Sequence, residues 1–317
     1  MTVSNAQLAF IFPGQGSQAV GMMRDWSDNS TVSATFAEAS QVLDYDLWAL
    51  VEEGPSETLD RTDCTQPAIL TASVALWRLW RERAGVLPQW LAGHSLGEYS
   101  ALVAAEALAF TDAVALVAER GRLMQEAVAP GEGAMAAVIG LEDEQVRAVC
   151  AEAAAQRGQV VQAVNFNAPG QVVIAGEREA VEGAGEAAEQ AGAKRILPLS
   201  VSVPSHCTLM QPAAERLAER LAAIDIRQPS ESMRVLHNVD VQVSRTPEEI
   251  RQRLVAQLAQ PVRWSETVQQ IAAAGGEVFA ECGPGKVLSG LTRRIERRLE
   301  AVPMVEPDSF TALLERG

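Results

Sequence analysis

The pentapeptide Gly93-His94-Ser95-Leu96-Gly97 constrains the fold of this chain more than any other feature. An apolar run, Val86 to Ala92, precedes it, and a helix-forming run, Glu98 to Ala109, follows it. A strand that turns this abruptly into a helix leaves almost no room for side chains beside the serine, hence the two glycines. The pattern is a nucleophile elbow, which sets Ser95 at a helix N-terminus whose amides stabilise negative charge. It predicts an α/β fold with a hydrolase-like main domain, a mainly parallel sheet and a serine equipped for acyl chemistry.

Leu8 to Phe12 reads as a buried strand, broken by the loop Pro13-Gly14-Gln15-Gly16-Ser17-Gln18. Helical patterns fill Val32 to Val51 and Pro67 to Arg83, and another runs from Thr111, as N-cap, to Val128. Pro130-Gly131-Glu132-Gly133 then marks a boundary. Beyond it the order is strand (Ala134 to Ile139), helix (Asp143 to Gln156), strands (Val160 to Phe166 and Gln171 to Ala175), helix (Glu179 to Ala191) and strand (Arg195 to Leu199). That βαββαβ order predicts a ferredoxin-like inserted subdomain at 130–199, within a catalytic domain made of 1–129 and 200–317. A substrate is expected in the cleft between the two.

The formal net charge of -15 leaves no basic stripe for nucleic acid. Short basic clusters (Arg78/Arg81/Arg83, Lys194/Arg195 and Arg293/Arg294/Arg297/Arg298) are ordinary solvated faces or local sites for an anionic partner. Nowhere do about 18 apolar residues run uninterrupted, and the apolar run near the N-terminus is too short for a signal peptide, so no membrane role and a cytoplasmic location are expected. The four cysteines are dispersed without a CxxC pair, which signals neither a disulfide framework nor a zinc site; no metal is expected.

An activated serine needs a base, and the chain has three histidines. His94, next to Ser95 on a tight turn, should point away from it. His206, in Val203-Pro204-Ser205-His206-Cys207, follows the serine in chain order and is placed just after a strand re-entering the main sheet, which makes it the favoured base over His237. Arg120 shares a helical stripe with Ala113, Val117 and Met124, so its guanidinium emerges from an apolar face. Either it snorkels to the edge of the stripe or it is buried to clamp a carboxylate, which would imply a dicarboxylic acyl group. Gly14-Gln15-Gly16-Ser17-Gln18-Ala19 lacks the second strand and acid of a dinucleotide site. Gly283-Pro284-Gly285-Lys286 lacks the spacing of a P-loop and reads as a strand-to-helix turn.

Seven motifs in order give the chain a resemblance along essentially its whole length. They are Phe12-Pro13-Gly14-Gln15-Gly16-Ser17-Gln18, Gly93 to Tyr99, Arg120 to Gln125, Asn165 to Gln171, Pro204-Ser205-His206-Cys207, Gln257-Leu258 and Gly283-Pro284-Gly285-Lys286. Together they resemble the stand-alone malonyl-CoA:acyl carrier protein transacylases of bacterial fatty acid synthesis. The resemblance implies ping-pong transfer of malonyl from malonyl-CoA, through Ser95 with His206 as base, to the phosphopantetheine thiol of acyl carrier protein. It further implies an oxyanion hole from the Gln15 and Leu96 amides, and the Gln257 carbonyl orienting His206. Substrate-binding residues would be Arg120, Met124, Asn165, Gln171 and Ser205. No cofactor is implied, since the coenzyme A thioester is itself a substrate, and the protein is expected to be a monomer. His237, in a polar strand end, receives no role. Three rivals use the same residues or the same fold: a serine thioesterase or hydrolase, a non-catalytic carrier-docking protein, and a trans-acting malonyl loader of a polyketide pathway.

Overall fold

The computed structural model describes residues 2–199, 203–230 and 232–316. Its strands, in chain order, are β1 (Leu8–Phe12), β2 (Trp90–Gly93), β3 (Gly133–Ile139), β4 (Val161–Ala168), β5 (Gln171–Glu177), β6 (Arg195–Pro198), β7 (Arg234–Leu236), β8 (Val278–Glu281) and β9 (Glu300–Pro303). Five of them form a wholly parallel sheet in the order β7-β2-β1-β8-β9. Its three central strands are buried at every position, as strands covered by helices on both faces must be. One face packs on the long helix Thr62–Glu82, where Phe10 meets Trp77 and Trp80 edge-on at 5.4 and 5.3 Å. The other packs on the helices Trp264–Ala273 and Val287–Ile295.

The remaining four strands form an antiparallel sheet in the order β4-β5-β3-β6, with a core of its own against the helices Asp143–Arg157 and Arg178–Gln190. This is the ferredoxin-like order, so the fold is α/β with a ferredoxin-like second sheet. β6, the last strand before His206, pairs with β3. It therefore closes the small sheet and does not re-enter the main one, which corrects the placement expected from the sequence. The expected domain boundary at residue 200 lies outside the described residues.

Several helices differ from their sequence patterns. The stretch from Val32 to Val51 is two helices, Ser30–Leu43 and Leu47–Glu53, because Asp44 turns left-handed (φ 59°) and the Asp46 side chain caps a new start at the Ala49 amide. Pro67 lies inside the helix Thr62–Glu82 and does not begin it. Nearly the whole of that helix is buried, and its packing outweighs the one backbone bond that Pro67 cannot make. The helix after the elbow, Gly97–Ala104, stops short of Ala109 at Glu106 (φ 61°). Thr111 falls inside the helix Phe110–Glu126 and caps nothing; a bridge between Leu108 and Ile226 steers the chain into that helix instead. The four cysteines are free, and three of them are buried. Among the described residues no helix is long and apolar enough to cross a membrane, and no three His, Cys, Asp or Glu side chains are grouped to hold a metal.

The C-terminal ends of β1 and β2 lie side by side and carry the Pro13–Gln18 loop and the elbow. Here the glycines are obligatory. A Cβ on Gly97 would stand 2.0 Å from the Phe12 carbonyl oxygen, and one on Gly93 would stand 1.8 Å from the Gly97 carbonyl carbon. Backbone is the neighbour in both cases, so no side-chain rotation relieves the clash. Gly97→Ala should therefore cost ~1–3 kcal/mol or more, read as a fall in thermal midpoint. An unchanged midpoint would mean that the helix is not pressed against β1.

Candidate active site

Ser95 occupies the elbow with φ 52°, a left-handed conformation that turns its hydroxyl away from the strand. Its Oγ lies 2.8 Å from His206 Nε2, and His206 Nδ1 donates to the Gln257 backbone carbonyl at 2.6 Å. That bond puts the proton on Nδ1 and leaves the Nε2 lone pair facing the serine, as a general base requires. The base itself is positioned by its own backbone, with φ 67° and its amide bonded to the Leu258 carbonyl.

Two amides face the same space. Among the described residues neither the Gln15 nor the Leu96 N–H has an acceptor, whereas the Ser95 N–H is taken by Asn238 Oδ1 at 2.7 Å. Asn238 also donates Nδ2 to the Gly93 carbonyl and so bridges the two sides of the elbow. A free amide at the start of a helix, as at Leu96, suits a developing oxyanion, and the Gln15 amide in the loop after β1 adds a second donor.

Arg120 resolves the choice left by its helical stripe: it does not snorkel. It is 1% exposed and reaches Ser95 Oγ at 3.3 Å and Gln257 Oε1 at 3.0 Å through Nη2. Its Nε has no partner, and among the described residues no carboxylate pairs with it. Tyr99 supplies an aromatic face 5.5 Å from the guanidinium. A buried cation held only by neutral groups is costly, and an incoming anion offsets that cost.

The cavity over these groups encloses about 410 Å³ and is lined by Gln15, Ser95, Leu96, Arg120, Met124, Asn165, Ser205 and His206, among others. Gln257 stands behind this wall, fully buried. Gln171 does not join them. It starts β5 at the far end of the β4–β5 hairpin, where its Oε1 accepts a hydrogen bond from Arg294, so the structure gives it no contact with the cavity. Gln66 lines the cavity although no motif singled it out; its Nε2 meets Met124 Sδ at 3.5 Å and its Oε1 is unpartnered. Asn165 Oδ1 is likewise unpartnered. His94 is turned from the serine, bonded to Asn167 Oδ1 at 2.8 Å and tilted against Trp264. Gly283 to Lys286 form the turn between β8 and the next helix, pinned by the buried Glu281 carboxylate on the Leu288 and Ser289 amides.

Burial, then the charge of Arg120, push His206 down to about 3 from the ordinary 6.5. The depressed value keeps the imidazole neutral, and competent as a base, far into acid. With malonyl-CoA as substrate, kcat/KM should thus show no acid limb from His206 between pH 8 and about 5. The same shift means that the fold resists protonation of His206, so its stability begins to fall as pH drops below the ordinary value. An acid limb in kcat/KM centred near 6.5 would place His206 in a solvated setting and contradict the geometry.

A serine, a neutral base held by a carbonyl, two free amides and an unpaired guanidinium are the parts of an acyl-transfer site for a carboxylated acyl group. Residues 9–309 match the family model described as acyl transferase domain. The malonyl CoA-acyl carrier protein transacylase of Escherichia coli K12 is 56% identical over 310 residues, covering 98% of this chain and 99% of that protein. The protein of that name from Bacillus subtilis is 44% identical over 311 residues, covering 98% and 97%. The chain belongs to the malonyl CoA-acyl carrier protein transacylase family. Among solved transacylase structures, the acyl carrier protein S-malonyltransferase of Vibrio cholerae matches with a TM-score of 0.94 at 55% identity, over 97% of this chain and 99% of that one. A malonyl-transacylase solved in complex with its type II polyketide synthase acyl-carrier protein matches with a TM-score of 0.95 at 54% identity, over 98% and 100%.

Proposed function

We propose that this protein transfers malonyl from malonyl-CoA to the phosphopantetheine thiol of acyl carrier protein through a malonyl ester on Ser95, supplying fatty acid synthesis. The observation that carries the acyl group's identity is Arg120, a buried guanidinium without a carboxylate, 3.3 Å from the serine oxygen. In the first half-reaction His206 Nε2 takes the Ser95 proton as Oγ attacks the thioester carbonyl. The oxyanion is received by the Gln15 and Leu96 amides. Collapse breaks the carbon–sulfur bond, and the imidazolium returns its proton to the leaving thiolate of coenzyme A. The second half repeats these steps with the carrier's thiol as nucleophile. A thioester arrives already activated, so this reading calls for no cofactor.

Arg120 acts twice in this scheme. It binds the malonyl carboxylate, and the pairing cancels the positive charge that opposes imidazolium formation on His206. Malonyl therefore completes the electrostatics of its own acylation, and acetyl does not. Met124, Asn165 and Ser205 shape the chamber around the acyl group. The segment 130–199 is read as an inserted subdomain and the protein as cytoplasmic and monomeric, its monomeric state checked by sedimentation mass.

The likeness to a transacylase solved with a polyketide carrier favours a second reading of the pathway, with the same chemistry serving polyketide synthesis. The test is transfer of labelled malonyl from malonyl-CoA to phosphopantetheinylated carriers of both kinds. Label that passes to a fatty acid carrier supports the first reading, and exclusive transfer to a polyketide carrier supports the second. Release of free malonate with both carriers unlabelled would contradict both in favour of a hydrolase.

A further inference from the structure

Behind the elbow lies a carboxylate that the acyl-transfer chemistry does not use. Glu98, the second residue of the helix Gly97–Ala104, is fully buried. Its Oε1 meets His237 Nδ1 at 2.7 Å, and its Oε2 accepts from the Asn238 amide and from Gln257 Nε2, both at 2.9 Å. Gln257 turns its other amide atom, Oε1, to Arg120 Nη2. One neutral amide thus separates a buried carboxylate from a buried guanidinium.

In so dry a setting opposite charges attract strongly, and direct pairing between Glu98 and Arg120 would be the default. It does not occur because three donors already satisfy the carboxylate. His237 is the only side chain that engages Oε1 among the described residues. Its ring is fixed from the far side, where Nε2 meets Ser244 Oγ at 2.7 Å; Arg253 in turn donates to Ser244 at 2.9 Å and binds Asp240 at 2.7 Å.

We propose that His237 is a specificity-determining positioning residue, which holds Glu98 away from Arg120 and so reserves the guanidinium for the substrate's carboxylate. Without His237, one oxygen of a buried carboxylate is left unpaired, a costly state that the charge of Arg120, one amide away, would relieve. Glu98 then displaces the Gln257 amide and fills the clamp from within. The loss falls on malonyl, which needs the clamp, and spares acetyl, which does not.

This inference rests on the malonyl-transfer reading, and the experiment separates the two. Acyl-enzyme formation is measured with malonyl-CoA and acetyl-CoA for the wild type, His237→Leu and the double variant His237→Leu/Glu98→Gln. The malonyl-to-acetyl ratio of kcat/KM should fall about tenfold or more in His237→Leu, through a raised KM for malonyl-CoA. Glu98→Gln removes the competing charge and should restore most of that ratio. A ratio unchanged in His237→Leu, or a fall that Glu98→Gln does not relieve, overturns the proposal, since a merely structural histidine would lower the loading of both acyl groups alike. If His237→Leu does not fold, His237→Phe, which keeps a ring but offers no donor to Glu98, replaces it in both variants: a malonyl preference that falls and returns with Glu98→Gln supports the proposal, and an unchanged one overturns it. A wild-type protein with no malonyl preference would overturn the malonyl-transfer reading and this inference with it.

Discussion

Ser95→Ala should abolish malonyl transfer while leaving the fold intact. The expected loss is on the order of 10⁶-fold in kcat, the scale on which removal of a serine nucleophile acts when its base can no longer share in the reaction. The fold should survive because, among the described residues, Ser95 Oγ hydrogen-bonds only with His206 and Arg120, and alanine keeps the backbone N–H that is tied to Asn238. The variant should bind malonyl-CoA yet carry no covalent malonyl after denaturation. A stable labelled adduct on Ser95→Ala would move the nucleophile elsewhere. His206→Ala should lose at least the ~10²–10⁴-fold that a positioned base typically contributes.

Arg120→Met should lose malonyl loading by ~10²–10⁴-fold, equivalent to ~3–5 kcal/mol for a desolvated ion pair broken on one side. Acetyl loading should hold or rise, because the charge that depresses His206 is gone. The thermal midpoint should not fall. Among the described residues the guanidinium pairs with no carboxylate and its Nε has no partner, so an apolar side chain of similar length relieves its desolvation, which offsets the donor that Gln257 Oε1 loses. Selectivity is read from the two loading rates and stability from thermal unfolding. Equal losses for both acyl groups would remove the carboxylate clamp, and a large fall in midpoint would make Arg120 a structural residue.

The elbow was legible because its glycines are dictated by backbone contacts that the local pattern already implies. His206 was legible because only three histidines compete and one of them adjoins the serine. Arg120 was half legible: periodicity set it on an apolar face, but whether it was buried or snorkelling depended on packing with the helix Thr62–Glu82, which lies far away in sequence. Gln257 left no trace in residue chemistry, because it acts on His206 through a backbone carbonyl that any residue carries. Glu98 read as an ordinary helix residue until β7 and the following loop brought His237 and Asn238 beneath it. Gln171 misled for the opposite reason. It shares a motif with Asn165, yet it lies at the turn of the β4–β5 hairpin, and only Asn165 lines the cavity. The break at Asp44 and the early start before Pro67 were missed because capping by Asp46 and burial of a whole helix are tertiary outcomes that propensity does not record.

The most direct measurement is the intact mass of the wild-type protein after brief exposure to malonyl-CoA, taken before and after phosphopantetheinylated acyl carrier protein is added. The mass should rise by one malonyl group and then return to its starting value as the carrier gains the same group. A protein whose mass never changes while the carrier becomes malonylated would contradict the seryl intermediate, and an adduct lost to water with the carrier unmodified would contradict the transfer itself.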